Sequence, residues 1–292
     1  MTTQTACSVS SDTNTQTRTL QKIRSIDGWP KVTDETPAMT IGVLDVETDG
    51  LDPTCDNILQ IAVALIEIDE NGRILSVVDH GTAMQDPKRQ IPPKITALTG
   101  IDNLTVAGKR IKREALTAFL CQADALLAHN ASFDAGFVRR LLPGVAHLPW
   151  ICSMRDVAWA KHGFDGAKLG HLLMQQGLFA ETAHDAMADV EALLALAASE
   201  LPTGDTVLAE AIATARAPTV RIDAVGAPYS VNGELKRFGY RFDWNPKRKV
   251  WWKEVALTHN HAELAWLLRT APNARPTQHT LSWHDRHGCR LP

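Results

Sequence analysis

The sequence predicts an α/β protein: a mixed five-stranded sheet flanked by helices on both sides, followed by a small α+β C-terminal domain. Three observations predict it. Three β-rich runs come first, two of them joined by Asn71-Gly72, the pair a tight hairpin turn prefers. Short apolar strands and helical segments then alternate, the order that builds an α/β domain. After Leu201-Pro202 the composition shifts to short strands dense in tryptophan, lysine and arginine.

The elements follow in order. Residues 1–20 are rich in Ser and Thr and lack an apolar stretch, so they do not read as a secretory signal. Residues 1–38 are therefore expected to be disordered or extended. Residues 41–45 are a short apolar run ending in acids, which reads as a buried strand. Residues 58–68 form a longer β-rich run, and 73–83 read as its returning partner. Residues 92–100 begin with proline and close with glycine, the ends of a helix. A helix is expected over 112–122, a strand over 125–128, a helix over 132–142 and an edge strand over 150–153. Helices follow at about 167–176 and 185–201. This domain spans 39–200. Residues 201–218 read as a helical connector, 219–270 as a small basic, Trp-rich domain, and 271–292 as a flexible tail.

The chain has 292 residues, 45% apolar and 22% charged, enough to bury a core without staples. Its net charge of −3 supplies no overall basic field, so a polyanion would need local basic patches or metal ions. Cys7, Cys55, Cys121, Cys152 and Cys289 are scattered and form no C-x-x-C pair, which argues against a disulfide framework or a structural zinc site. A reducing cytoplasm is the expected compartment. No stretch has the apolar length that spans a bilayer.

Asp45 and Glu47 stand two apart on a strand, so they share one face. Two carboxylates at the end of a buried strand repel each other and lose solvation, and a divalent cation relieves both costs. Taken alone, a D-x-E pair is more often a strand ending in a solvated turn. Two further segments change that reading. His129-Asn130-Ala131-Ser132-Phe133-Asp134 follows a short strand and opens a helix, and His184-Asp185-Ala186-Met187-Ala188-Asp189 opens another.

With these three segments the sequence resembles the DEDDh 3′→5′ exonuclease family, which includes the proofreading subunit of bacterial DNA polymerase III and ribonuclease T. Asp45-Val46-Glu47-Thr48 matches its D-x-E motif, 129–134 its H-N-x-x-F-D segment, and 184–189 its H-x-x-x-x-D segment. The resemblance covers about residues 39–200 and implies an RNase H-like fold. Residues 92–101 are similar to a family helix, although Thr99 stands where many relatives have His. The resemblance also implies that Thr48, Gly50 and Leu51 cradle the terminal nucleotide, with Asn130 beside them. Asn130 is expected to fix its turn through backbone bonds, Asp49 and Asp52 to form turns, Asp185 to cap the last helix, and His129 to pack.

Hydrolysis of a phosphodiester needs an activated water and stabilisation of charge on the leaving oxygen, which two metal ions can supply. Mg²⁺ (or Mn²⁺) suits a cluster of carboxylates with open positions. Asp45, Glu47, Asp134 and Asp189 are the expected ligands of two ions, Asp45 bridging them by resemblance. His184 is the expected general base, since an imidazole ordinarily titrates near neutrality. The expected activity is 3′→5′ removal of nucleotides from single-stranded or frayed DNA. The same chemistry on RNA, and a non-catalytic binding protein on the same fold, are the alternatives.

Residues 226–256 combine cations and aromatics, the ingredients of single-strand binding. They also resemble a small module appended to many bacterial exonucleases. Trp244 and one of Trp251 and Trp252 are expected in the core of this domain, and the other exposed. In the tail, Gln278, Leu281 and Trp283 resemble a peptide that docks on the sliding clamp. His284, His287 and Cys289 read as solvated tail residues.

Overall fold

Long apolar runs broken by turn residues set the first sheet. The computed structural model describes residues 19–244 and 247–286. The chain divides into two compact units, one running to Ala215 and one from Arg216 to Arg286. The Ser/Thr-rich start (1–18), Cys7, His287 and Cys289 lie outside the described residues.

The first unit opens with a two-residue strand, β1 (Gln21–Lys22), and then three long strands: β2 (Met39–Thr48), β3 (Ile58–Ile68) and β4 (Ile74–Met84). β2 pairs antiparallel with β3, placing Asp45 opposite Ala62 and Glu47 opposite Gln60, and the register shifts between Glu47 and Thr48. The turn into β4 is built as its sequence predicts. Asp69 Oδ1 accepts the N–H groups of Asn71 and Arg73 at 2.9 and 2.8 Å. Gly72 has φ 72°, and a side chain there would meet the Ala209 backbone at 2.8 Å, so both dihedral and space require glycine.

Helices α1 (Pro93–Thr99), α2 (Asn103–Val106) and α3 (Arg113–Leu120) precede β5 (Ala125–Ala128). Then come α4 (Ala131–Leu141), β6 (Trp150–Cys152), α5 (Leu169–Gln175), β7 (Leu178–Phe179) and α6 (Ala186–Ala197). The sheet runs β4-β3-β2-β5-β6, with β2–β5 and β5–β6 parallel. This is the mixed five-stranded RNase H-like sheet that the sequence predicts. β2 lies at its centre, and alternation sends Leu44 and Val46 into a core with Ile61, Leu126, Phe137 and Trp150. Burying one such side chain stabilises by about 1.5–3 kcal/mol. Asp45 and Glu47, on the other face, therefore sit on a backbone anchored from beneath.

Two segments at the ends of this unit gain detail. The connector helix, α7 (Val207–Arg216), buries Val207, Leu208, Ala211, Ile212 and Ala215. Its Glu210 accepts the Ala158 N–H at 2.7 Å and meets His162 Nε2 at 2.6 Å. The expected helix is present, and up to Ala215 it packs as part of the first unit, since an amphipathic helix gains by burying its apolar stripe. At the other end, β1 pairs parallel with β7 and Ile26 is buried, so part of the N-terminal segment is ordered by pairing.

In the second unit β8 (Thr219–Asp223), α8 (Asn232–Arg237), β9 (Arg241–Asp243), β10 (Val250–Ala256), α9 (Asn260–Thr270) and β11 (Thr277–Leu281) follow in order. The antiparallel sheet runs β11-β8-β10-β9. Val220, Ile222, Ala224, Leu235, Tyr240 and Leu267 form its core. The tail expected to be flexible is corrected here: Thr277–Leu281 is an edge strand paired with β8, Gln278 opposite Ile222. Four of its five residues are exposed, so it shows no apolar alternation by which to read it. Leu281 is buried, and the Asn260 amide donates to Gln278 Oε1 at 2.7 Å. A clamp-docking peptide at these positions would have to leave the sheet.

The tryptophans also differ from expectation. Trp251 packs against the core, and the Trp252 ring lies 4.3 and 5.2 Å from the Arg221 and Arg241 guanidiniums. Trp244, expected in the core, is 81% exposed. The core is completed instead by Tyr240 and Trp266, so Trp244 is not needed to fill it.

Candidate active site

Three elements deliver the acidic side chains. β2 carries Asp45 and Glu47 at its C-terminal end, the first turn of α4 carries Asp134, and the first turn of α6 carries Asp189. Helix N-termini favour carboxylates there because their unpaired N–H groups carry partial positive charge. Asp134 also accepts a hydrogen bond from the Val46 backbone. Asp185 caps α6 as expected, accepting the N–H groups of Met187 and Ala188, both at 3.1 Å.

His184 stands in the loop before α6, with φ 64°. A left-handed backbone is uncommon for a residue with a Cβ and marks a conformation imposed by its surroundings. One of those surroundings is Asp189, whose Oδ2 accepts the His184 N–H at 3.2 Å. Ligand atoms of Glu47, His184 and Asp189 lie within 4.8 Å of one another.

The electrostatics show what the cluster lacks. Burial, followed by repulsion from Asp134, Asp189, Glu47 and Asp185, pushes the Asp45 carboxyl well above the usual range. Burial and then Asp189, Asp185 and Asp134 push Glu47 up to about 7. Burial pushes Asp134 up to about 7 and raises Asp189 as well. The charged groups acting on Asp45 and Glu47 are all carboxylates. Oxygen donors gathered in a desolvated place without a cation fit a hard divalent ion, which would supply the missing charge. The five residues expected at the site thus come together from segments up to 144 positions apart (Asp45 to Asp189).

The expected nucleotide cradle is mixed. Thr48 is buried, and its hydroxyl donates to the Gly50 carbonyl at 2.6 Å, closing the turn after β2. A side chain at Gly50 would strike the Asp56 carboxylate at 2.1 Å. Leu51 is 82% exposed just past the acidic strand, available to a ligand. Asn130 is exposed, its side chain makes no capping bond to α4, and its carbonyl accepts from Phe133 N–H at 2.7 Å, a backbone bond across the turn. His129 is held on both ring nitrogens. Nε2–H donates to the Ala167 carbonyl and Nδ1 accepts from the Ser153 hydroxyl, each at 2.8 Å, while burial lowers its pKa. It is a packing residue, as expected.

Two residues make contacts that the sequence did not show. Asp52 forms a turn with Thr54, but Asp49 does more. Its buried carboxylate receives Arg89 Nε at 2.6 Å and Nη2 at 2.5 Å, tying the loop after β2 to the segment before α1. Gln60, a polar residue in a largely apolar strand, donates to Asp185 Oδ2 at 3.0 Å and accepts from Ala186 N–H at 3.3 Å. Its break in the apolar run was the available signal. Through it β3, opposite Glu47, positions the start of α6.

Comparison with known proteins agrees with this fold. The RNase T exonuclease family model matches residues 43–197, more than half of the chain, and the chain belongs to that family. The DNA polymerase III PolC-type of Thermotoga maritima is 37% identical over 113 residues, 38% of this chain and 8% of that protein. Its namesake from Clostridium perfringens is 31% identical over 155 residues, 51% of this chain and 10% of that protein. The chain thus spans only about a tenth of these relatives. A solved structure of exonuclease I shares the fold at TM-score 0.50 and 17% identity, covering 87% of this chain and 64% of that one. No helix among the described residues is long and apolar enough to cross a membrane.

Proposed function

We propose that this protein removes mononucleotides from the 3′ ends of single-stranded or frayed DNA, using two Mg²⁺ or Mn²⁺ ions. The observation that carries the reading is the meeting of four carboxylates and one histidine from β2, α4, α6 and the loop before α6. Asp45, Glu47, Asp134 and Asp189 would hold the metal. Bound there, the ions supply Lewis acidity and a water of lowered pKa. The choice of DNA rests on relatives that are named as DNA polymerases.

The protein groups do the remaining work. His184 takes a proton from the attacking water as its oxygen bonds to phosphorus. The bond from phosphorus to the 3′ oxygen of the preceding nucleotide breaks, and that oxygen takes a proton from solvent water, leaving a shortened strand with a 3′ hydroxyl and a 5′-mononucleotide. The exposed Leu51 packs on the terminal nucleotide. Asp185 and Gln60 hold the start of α6, and so Asp189, in register with Glu47.

The test compares end-labelled single-stranded DNA, duplex DNA and RNA with Mg²⁺, Mn²⁺ or EDTA, alongside Asp45→Ala. Stepwise 3′ shortening of single-stranded DNA that needs metal and Asp45 supports the reading. Faster loss of RNA would move the substrate to RNA. Intact substrates in all three lanes, with binding retained, would make the chain a binding protein.

A further inference from the structure

The aromatic side chains of the second unit divide by their surroundings. The Trp251 indole N–H donates to Asn232 Oδ1 at 2.8 Å, and Trp266 stacks on Phe238 with centroids 3.7 Å apart. Trp244 and Tyr229 are instead 81% and 89% exposed. Trp244 meets the protein through Phe242, centroids 4.8 Å apart and planes at 68°, which leaves most of its ring in water.

These two rings are not scattered singly over the surface. Both border one cavity of about 710 Å³. That volume falls within the ~300–1,000 Å³ range of sites that take small ligands or parts of larger ones. Arg248 and Lys249 border it too. Arg248 also lies 3.7 Å from Asp243. Among the described residues that border it, the one carboxylate is Asp223, which is paired with Arg221 Nε at 2.7 Å. The concavity therefore presents aromatic rings beside cations, with its anion compensated.

We propose that this cavity is a second nucleic-acid site, in which successive bases of a single strand stack on Trp244 and Tyr229 while phosphates lie against Arg248 and Lys249. Exposed aromatics beside cations in a groove are the means by which single strands are held without sequence preference. An apolar peptide would leave the cations unused, and a free mononucleotide would fill only one of the two rings. The choice of a strand as occupant rests on the exonuclease reading; the exposure and grouping of the rings do not. Carried on the same chain as the exonuclease unit, a strand bound here stays at high effective concentration for it.

The experiment measures binding of a fluorescent oligo-dT to the full chain in EDTA, so that hydrolysis plays no part. Trp244→Ala and Tyr229→Ala should each weaken binding roughly 5- to 100-fold, and Trp244→Phe should recover much of the loss. Lys249→Gln should lower the slope of log Kd against log salt by about 0.7. Melting curves matching the unaltered protein establish that these exposed substitutions leave the fold intact. An unchanged Kd for both alanine variants, or dTMP binding as tightly as the oligonucleotide, would overturn the proposal. Metal-dependent digestion with Trp244-independent binding would overturn this site and leave the catalytic reading standing. Trp244-dependent binding without digestion would do the reverse.

Discussion

Replacing Glu47 with glutamine should stabilise the metal-free protein at alkaline pH. Glu47 is 9% exposed, and its carboxyl is pushed from 4.5 to about 7 by burial and by Asp189, Asp185 and Asp134. An acid whose titration point is raised in the fold stabilises that fold where it is protonated. That contribution is present at low pH and is lost as pH rises through about 7. The rise of about 2.5 units, from 4.5 to about 7, corresponds to at most about 3.4 kcal/mol at 1.36 kcal/mol per unit. Water at the open side of the cluster reduces this to about 1–3 kcal/mol. Glutamine keeps the shape and removes the charge. At pH 8.5 in EDTA, Glu47→Gln should melt roughly 3–10 °C above the unaltered protein, and the gap should close near pH 5. Mg²⁺ should then raise the melting point of the unaltered protein more than that of the variant, because metal that binds only the fold adds stability by mass action. A variant that melts at or below the unaltered protein at pH 8.5 in EDTA would refute the account of an uncompensated carboxylate cluster.

Three further outcomes are expected. His184→Ala should lower kcat about 10²- to 10⁴-fold while leaving KM within a few-fold, measured by steady-state release of 3′ nucleotides. A loss confined to KM would remove His184 from proton transfer. Gln60→Ala should weaken metal affinity about 10- to 100-fold in a Mn²⁺ titration followed by calorimetry, since it unties Asp185 from β3 without removing a ligand. Unchanged affinity would reduce Gln60 to packing. Arg89→Ala should destabilise by about 2–4 kcal/mol in urea unfolding, because it strands the buried Asp49 carboxylate, and Asp49→Asn in that background should recover part of the loss. Equal melting of Arg89→Ala and the unaltered protein would show that solvent replaces the pair.

Much of the first unit was legible because its signals are local. Alternating and apolar runs mark strands, Asn71-Gly72 marks a turn, and Pro92 with Gly100 brackets a helix. The spacing within D-x-E, 129–134 and 184–189 likewise follows from the geometry of one strand end and two helix starts. It was the resemblance of these three segments to the DEDDh motifs that brought Asp45, Glu47, Asp134, His184 and Asp189 forward as the expected site. Contacts between distant segments leave no such period. Nothing in the sequence pairs Arg89 with Asp49, or Gln60 with Asp185, since each bond depends on how two separated elements meet. Polar Thr277–Leu281 gained its strand only by finding β8, and α7 its buried face only by packing. Trp244 shows the same limit from the other side. Composition marks a large apolar ring as core, but whether it is buried depends on whether Tyr240 and Trp266 have already filled the available volume. The sequence by itself determined the elements and the reactive groups they carry. Tertiary structure decided which groups share a cavity and which remain in water, because burial and pairing are properties of volume filled by the whole chain.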